Sequence, residues 1–211
     1  MSIHVASLTT GPFQENGYLV SHDSSGKTVL IDPGDKASVF RDHIVAHELE
    51  PIAIVNTHSH LDHIGAVAEL QTLYKIPFYL HISDKPVLEH YPQSCIMFGL
   101  PEKQAPIVDY WMNGEQENLD FGDIQLDVDH TPGHTPGSCC IRVNQEIFTG
   151  DTLFQNSIGR TDLPGGDYDT IMASLHRIIA HYDADSRIYP GHGPASTLEI
   201  ERRQNPFLIH I

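Results

Sequence analysis

Basic residues are few in this 211-residue chain: Lys and Arg number 12 against 28 Asp and Glu, for a formal net charge of −16. Affinity for nucleic acid rests on Lys and Arg neutralising phosphates, so a nucleic-acid partner is not expected. Cysteine is scarce too. The three present, Cys95, Cys139 and Cys140, are odd in number and two are adjacent. That is no disulfide framework and fits a reducing compartment with three buried thiols. Long apolar runs are missing: nothing approaches the roughly 20 residues of a membrane helix, and Met1 to Gly11 lacks the basic and apolar regions of a signal peptide. A cytoplasmic protein without a membrane partner is the expectation. What remains, 40% hydrophobic and 19% charged residues, is the make-up of a globular domain. The length suits one domain over 1–211, with no linker, low-complexity tract or close repeat. The oligomeric state is left open, a monomer being compatible.

Short strands are expected at Ile3–Leu8, Gly17–Ser21 and Thr28–Ile31, with Asp23-Ser24-Ser25-Gly26 as a hairpin signal. A helix follows over Lys36–Glu48, with Val39, Ile44, Val45 and Leu49 at near-helical spacing, then a buried strand at Ile52–Val55. Ile64–Tyr74 reads as one helix with Val67, Leu70, Leu73 and Tyr74 on one side, Phe78–Leu80 as a strand, and Ser83–His90 as a short helix. Pro92–Asn118 shows no period and is expected to be a long connection, either a lid over a site or a loop anchored by its aromatics. Strands at Ile124–Val128, Cys139–Val143 and Glu146–Thr149 precede a helix carrying Ile171, Leu175, Ile178 and Ile179, and a strand at Arg187–Tyr189. Two strand-rich halves that each supply helices imply an α+β four-layered αββα sandwich rather than a doubly wound parallel sheet.

The chemistry is concentrated in a few residues. His58, His60, Asp62 and His63 occupy one short run where the buried strand ends, and on an extended segment positions 58, 60 and 62 would share one side. The turn into the next helix can swing His63 toward a second centre. His134 lies in the Pro- and Gly-rich turn 131–137, Asp151 just after a strand, and His192 between Gly191 and Gly193. Imidazole and carboxylate donors without thiolate suit two divalent ions, Zn²⁺ first, with Fe²⁺ or Mn²⁺ compatible. A carboxylate such as Asp151 can join two cations about 3.5–4 Å apart, as in two-metal hydrolases. Asp32 would either orient a ligating imidazole or simply form the turn before Pro33-Gly34. His130 is assigned a structural or outer role. The isolated His4, His22, His43, His47, His81, His90, His176, His181 and His210 are expected to be ordinary surface or core residues.

These donors, in this order over residues 32–194, resemble the metallo-β-lactamase superfamily. Within it, Asn156–Gly166 and the tail Glu201–Leu208 are similar to the short, single-domain, glyoxalase II-like proteins, the hydroxyacylglutathione hydrolases. The resemblance implies that His58, His60 and His134 hold one metal, that Asp62, His63 and His192 hold the other, and that Asp151 bridges them. It places Arg160 near the thiol carrier, where it would grip a substrate carboxylate or else brace its loop by pairing with Asp162. β-Lactamases of the superfamily usually carry a cysteine near the place of Asp151, and flavodiiron oxidoreductases a glutamate near that of His60; neither is present. The C-terminal helical domain with which full-length glyoxalase II grips glutathione has no counterpart in the residues after His192.

The expected activity is hydrolysis of a thioester, S-lactoylglutathione or a related hydroxyacylglutathione, by a hydroxide shared between two metals, with Asp62 steering or accepting its proton. Alternatives on the same fold are a mononuclear iron persulfide dioxygenase, using only His58, His134 and Asp151, and a lactonase or other esterase. A phosphodiesterase is disfavoured by the acidic balance, and a non-catalytic scaffold by the presence of every donor.

Overall fold

The computed structural model describes residues 2–209. Its first half runs β1 (Ile3–Thr10), β2 (Glu15–His22), β3 (Lys27–Ile31), α1 (Ala37–Ala46), β4 (Glu50–Val55), α2 (Leu61–Ile64), α3 (Val67–Tyr74), β5 (Phe78–His81), α4 (Lys85–Glu89), α5 (Tyr91–Met97) and β6 (Tyr110–Met112). The second half adds β7 (Gln116–Asp120), β8 (Gln125–His130), β9 (Cys139–Val143), β10 (Glu146–Gly150), β11 (Leu153–Phe154), β12 (Ser157–Ile158), α6 (Tyr168–His181), β13 (Arg187–Pro190), β14 (Ser196–Thr197) and α7 (Leu198–Gln204). One six-stranded sheet has the order β1-β2-β3-β4-β5-β6 and the other β14-β13-β10-β9-β8-β7, while β11 and β12 form a small separate hairpin.

Strand periodicity explains the layers. Successive side chains point to opposite faces, so a strand covered on both sides is a continuous apolar run. Tyr18, Val20, Val29, Ile31 and Val55 face Leu126, Val128, Ile141 and Phe148 between the sheets. Their chain neighbours Leu19, Leu30 and Ile54 turn outward to Phe40, Ile44, Val67 and Leu70 of α1 and α3. On the second sheet Cys140, Ile147 and Ile188 turn outward to Ile171, Leu175 and Ile178 of α6 and to Leu198 of α7. The result is the αββα sandwich expected from the sequence. Phe148, fully buried, has its ring 5.0 Å from Tyr18 and 5.2 Å from Tyr189, centring the inner layer. Helix α6 starts where Asp167 accepts a hydrogen bond from the Thr170 amide at 2.8 Å, satisfying a donor the helix leaves free. Among the described residues no helix is long and apolar enough to cross a membrane.

Several local expectations are corrected. Helix α1 buries Ala37, Phe40 and Ile44, whereas Val39 and Val45 are exposed. The stripe that packs is the one at 37, 40 and 44; Val45 lies outside it. The helix expected over Ile64–Tyr74 is broken at Gly65-Ala66 into α2 and α3, and Leu73 faces solvent. The stretch Pro92–Asn118 is not one loop: it completes α5, adds β6 as the sheet's edge and opens β7. Prolines at its start hid the helix, since Pro92 sits at the first helical turn, where proline's missing N–H costs nothing. Helix α7 was not foreseen, and His210 lies outside the described residues.

Candidate metal centre

All the sequence-identified donors lie just beyond strand ends: after β4, β8, β10 and β13. The loop after β4 is held from several sides. Asn56 Nδ2 donates to the His63 carbonyl at 2.8 Å. Asp84, fully buried, accepts the Ser59 amide at 2.6 Å and the Ser59 hydroxyl at 2.7 Å on one oxygen, and the Gly137 amide at 2.9 Å on the other. One carboxylate thereby fastens the loop bearing His58 and His60 to the turn bearing His134.

His58, His60 and His134 bring one ring nitrogen each within 4.8 Å of one another, as do His63, His192 and an oxygen of Asp62. In the first set His60 Nδ1 lies 2.9 Å from His134 Nε2. In the second, His192 Nε2 lies 3.2 Å from Asp62 Oδ2. Asp151 stands between them, with Oδ1 3.3 Å from His63 Nε2 and Oδ2 3.4 Å from His134 Nε2 and 3.6 Å from His192 Nε2. The expectation that 58, 60 and 62 share one side fails at 62. The chain turns helical at Leu61, so Asp62 sits in the first turn of α2 and joins His63.

Asp32 does more than form a turn. It is buried, and its oxygens accept the Thr57 amide at 2.7 Å, the Thr57 hydroxyl at 2.6 Å and His63 Nδ1 at 3.0 Å. Because the Thr57 hydroxyl donates to Asp32, it accepts from His58 Nδ1 at 3.1 Å. A single carboxylate therefore fixes the tautomers of both His58 and His63, leaving each Nε2 lone pair free. The close grouping of Asp32 with His58 and His63 accordingly belongs to the supporting layer. His134 Nδ1 donates to the Arg160 carbonyl at 2.8 Å, which frees its Nε2 in the same way.

The electrostatics of the protein alone favour the ligand form of His58, His60, Asp62 and Asp151, and the protonated form of His63 and His192. Burial, reinforced by His63 and His134, holds His58 well below the ordinary imidazole range; burial and then His134 bring His60 down to about 4. Burial by itself would raise the Asp151 carboxyl, yet His63, His134 and His192 hold it well below the usual range. Burial works the same way on Asp62, and His192 and His63 overcome it. His63 and His192 move upward: burial opposes this, but Asp151 and Asp32 outweigh it for His63, and Asp62 and Asp151 for His192.

These residues fit a pair of cations. His58 Nε2, His63 Nε2 and Asp151 Oδ1 are buried without any hydrogen-bond partner, a state that costs about 1–3 kcal/mol per group unless something else fills it. The flanking glycines of His192 have different roles. A Cβ on Gly191 would stand 2.3 Å from Asp151 Oδ1 and 2.6 Å from His63 Cε1, so the backbone approach requires glycine there. Gly193 has open space around it but a φ of +77°, and is needed for the turn instead.

Arg160 does not aim its guanidinium at this cluster; it makes a two-pronged pair with Asp162 at 2.7 and 2.8 Å on the surface. Of the two sequence readings for Arg160, the brace is the one observed. His130 is structural, stacked on His81 at 3.9 Å, with Nε2 donating to the Pro136 carbonyl. The tail tract is structural as well: Glu201 accepts the Asn156 amide at 2.7 Å, and Asn205 Nδ2 donates to the Ser157 carbonyl at 3.0 Å, holding the loop after Asp151. Sequence reading missed Asp84, Thr57 and Asn56. It also missed Glu15, buried with both oxygens unpaired, 3.9 Å from His63 Nδ1, and pushed well upward by burial. No local pattern marks Asp84 or Glu15, whose neighbours Ser59, Gly137 and His63 lie far along the chain; Asn56 and Thr57 lie beside the donor run, and their role shows only in the bonds they make. The three cysteines are free and buried, and burial pushes the Cys140 thiol up to about 12.

The sequence model of the metallo-beta-lactamase superfamily matches residues 10–193. The hydroxyacylglutathione hydrolase GloC of Haemophilus influenzae is 36% identical over 211 residues, covering 99% of this chain and 98% of its own. Among solved structures, BLEG-1 B3 metallo-beta-lactamase superposes with a TM-score of 0.90 at 37% identity, over 97% of this chain and 99% of that one. TTHA1623 in a di-iron-bound form superposes with a TM-score of 0.87 at 40% identity, over 96% and 100%.

Proposed function

The chain belongs to the metallo-β-lactamase superfamily, and on that premise we propose that it is a binuclear metallohydrolase that cleaves a thioester, S-lactoylglutathione or a related hydroxyacylglutathione. The observation that carries this reading is Asp151 standing between two three-residue donor sets, within 3.6 Å of His63, His134 and His192. Kinship with GloC supports the substrate class. His58, His60 and His134 would hold one ion, Asp62, His63 and His192 the other, and Asp151 both. Two such ions, Zn²⁺ first for these nitrogen and oxygen donors and Fe²⁺ or Mn²⁺ also suited, supply Lewis acidity and a hydroxide near neutral pH.

The protein's own groups do the rest. Asp32 and Thr57 keep His58 and His63 facing inward, and the Arg160 carbonyl does the same for His134. Asp62, held ionised with one oxygen on His192, has its second oxygen to orient water and accept its proton. Burial of all three thiols, which pushes those of Cys139 and Cys140 upward, argues against a cysteine nucleophile. A one-iron dioxygenase would leave the set Asp62, His63 and His192 without purpose, and the completeness of that set supports the two-metal reading.

The test is metal analysis of wild type and Asp151→Ala, with rates on S-lactoylglutathione, a lactone, a phosphodiester and a cephalosporin. About two metals per wild-type chain and fastest cleavage of the thioester are expected, with both falling in the variant. Unchanged hydrolysis in a metal-free Asp151→Ala protein refutes the scheme. The cephalosporin tests a second reading, β-lactam cleavage, which likeness to BLEG-1 favours. Oxygen uptake on glutathione persulfide with one iron bound would point to the dioxygenase.

A further inference from the structure

Beside the donor cluster lies a cavity of about 240 Å³ that shares Asp62 with it. Its walls include Pro12 and Phe13 in the β1–β2 turn, Asp35 before α1, Leu61 at the start of α2, and Cys95 and Leu100 in and after α5. Phe13 and Phe98 meet edge to face across the two sides, with ring centroids 5.6 Å apart. This brings the segment expected to be a loop against the turn that precedes β2. Of the charged groups in the wall, Asp62 faces His192 at 3.2 Å in the donor cluster, and Lys103 Nζ donates to the Gly65 carbonyl at 3.1 Å and lies 3.6 Å from Asp35 Oδ1.

We infer that this cavity receives the side chain of the substrate's acyl group, and that the preferred substrate is a thioester of a compact apolar acid of about four to six carbons. The inference rests on the thioesterase part of the reading above and assigns a longer, more apolar acyl group than lactoyl as the preferred one. Size supports it, since an apolar cavity of about 150 Å³ already admits benzene. Chemistry supports it as well. A glutathione-like carrier bears several charges and needs free charged partners, whereas here Lys103 and Asp35 answer one another, Asp62 belongs to the donor cluster, and apart from Thr10 and Tyr91 the remaining side chains of the wall are hydrocarbon, aromatic ring or thiol. The apolar half of a thioester is its acyl chain, and Asp62, common to cavity and donor cluster, places the scissile carbonyl at the junction. Phe13 and Leu100 act as specificity-determining residues, touching the acyl chain rather than the reacting atoms.

The experiment is a series of straight-chain acyl thioesters of one carrier, from acetyl to octanoyl, with the metal-loaded enzyme. Burying a methylene corresponds to about a fourfold gain, so kcat/KM should climb about fourfold per methylene to roughly six carbons and then level or fall. Hexan-1-ol should compete with the acetyl thioester far better than ethanol does. Cys95→Phe, which fills the cavity, should flatten the series and weaken hexanol inhibition at least tenfold; if that variant fails to fold, Leu100→Phe on the partly buried loop reads the same quantity. A flat series with the acetyl or lactoyl thioester still cleaved overturns the cavity assignment and leaves the thioesterase standing. Failure to cleave any thioester overturns both.

Discussion

Replacing Asp84 with alanine removes a carboxylate that touches no metal donor, and the structure allows its cost to be worked out. The side chain is fully buried. Its loss strands the Ser59 and Gly137 amides, now bonded at 2.6 and 2.9 Å, while the Ser59 hydroxyl keeps a weaker bond to the residue 84 carbonyl at 3.3 Å. Two buried, unpaired N–H groups cost about 1–3 kcal/mol each, so about 2–6 kcal/mol of stability should be lost. In a domain of this size that lowers Tm by about 4–24 °C. A consequence for the site follows, because the same carboxylate joins the His58–His60 loop to the His134 turn. Metal affinity should fall about 10–100-fold, as for other residues that orient ligands. Asp84→Asn retains one acceptor and should lose about half as much stability as the alanine variant. Urea melts of the metal-free proteins isolate the structural cost, and chelator competition isolates the metal term. An Asp84→Ala protein within 0.5 kcal/mol of wild type, a bound typical of unimportant surface changes, and with unaltered metal affinity would sink the reasoning.

Asp32→Ala removes the acceptor that orients both His58 and His63, so metal affinity in a chelator titration should fall by about 10–100-fold or more. Gly191→Ala drives a methyl group into Asp151 and His63; metal content by mass spectrometry and hydrolysis should both collapse while far-UV circular dichroism keeps its shape, and a fully loaded, active variant would contradict the geometry. Asn205→Ala frees the Phe154 and Ser157 carbonyls and should cost about 1–3 kcal/mol, with faster amide exchange across 153–158 as the diagnostic. Chelation should abolish activity yet leave the cooperative melt, at lower Tm, because the three apolar clusters are built without the donor residues. Loss of the melt itself would show that the metals hold the sandwich together.

The donor residues and their order along the chain were legible without coordinates, because ligand chemistry depends on residue type and because a run such as His58-Ser59-His60-Leu61-Asp62-His63 is compact in sequence. The sandwich was legible for a related reason: strands buried on both faces leave continuous apolar runs, as at Leu19–Val20 and Ile54–Val55. The division of donors into two sets was not derivable from spacing, which placed Asp62 with His58 and His60; the switch from extended chain to helix at Leu61 reversed that. Tertiary structure also decided what Asp32, Asp84 and Glu201 do, since their partners stand 25, 53 and 45 residues away. It decided that Arg160 braces its loop and that Pro92–Asn118 walls a cavity. A side chain's chemistry is written in its identity, but which groups meet is set by packing between segments that share no local signal.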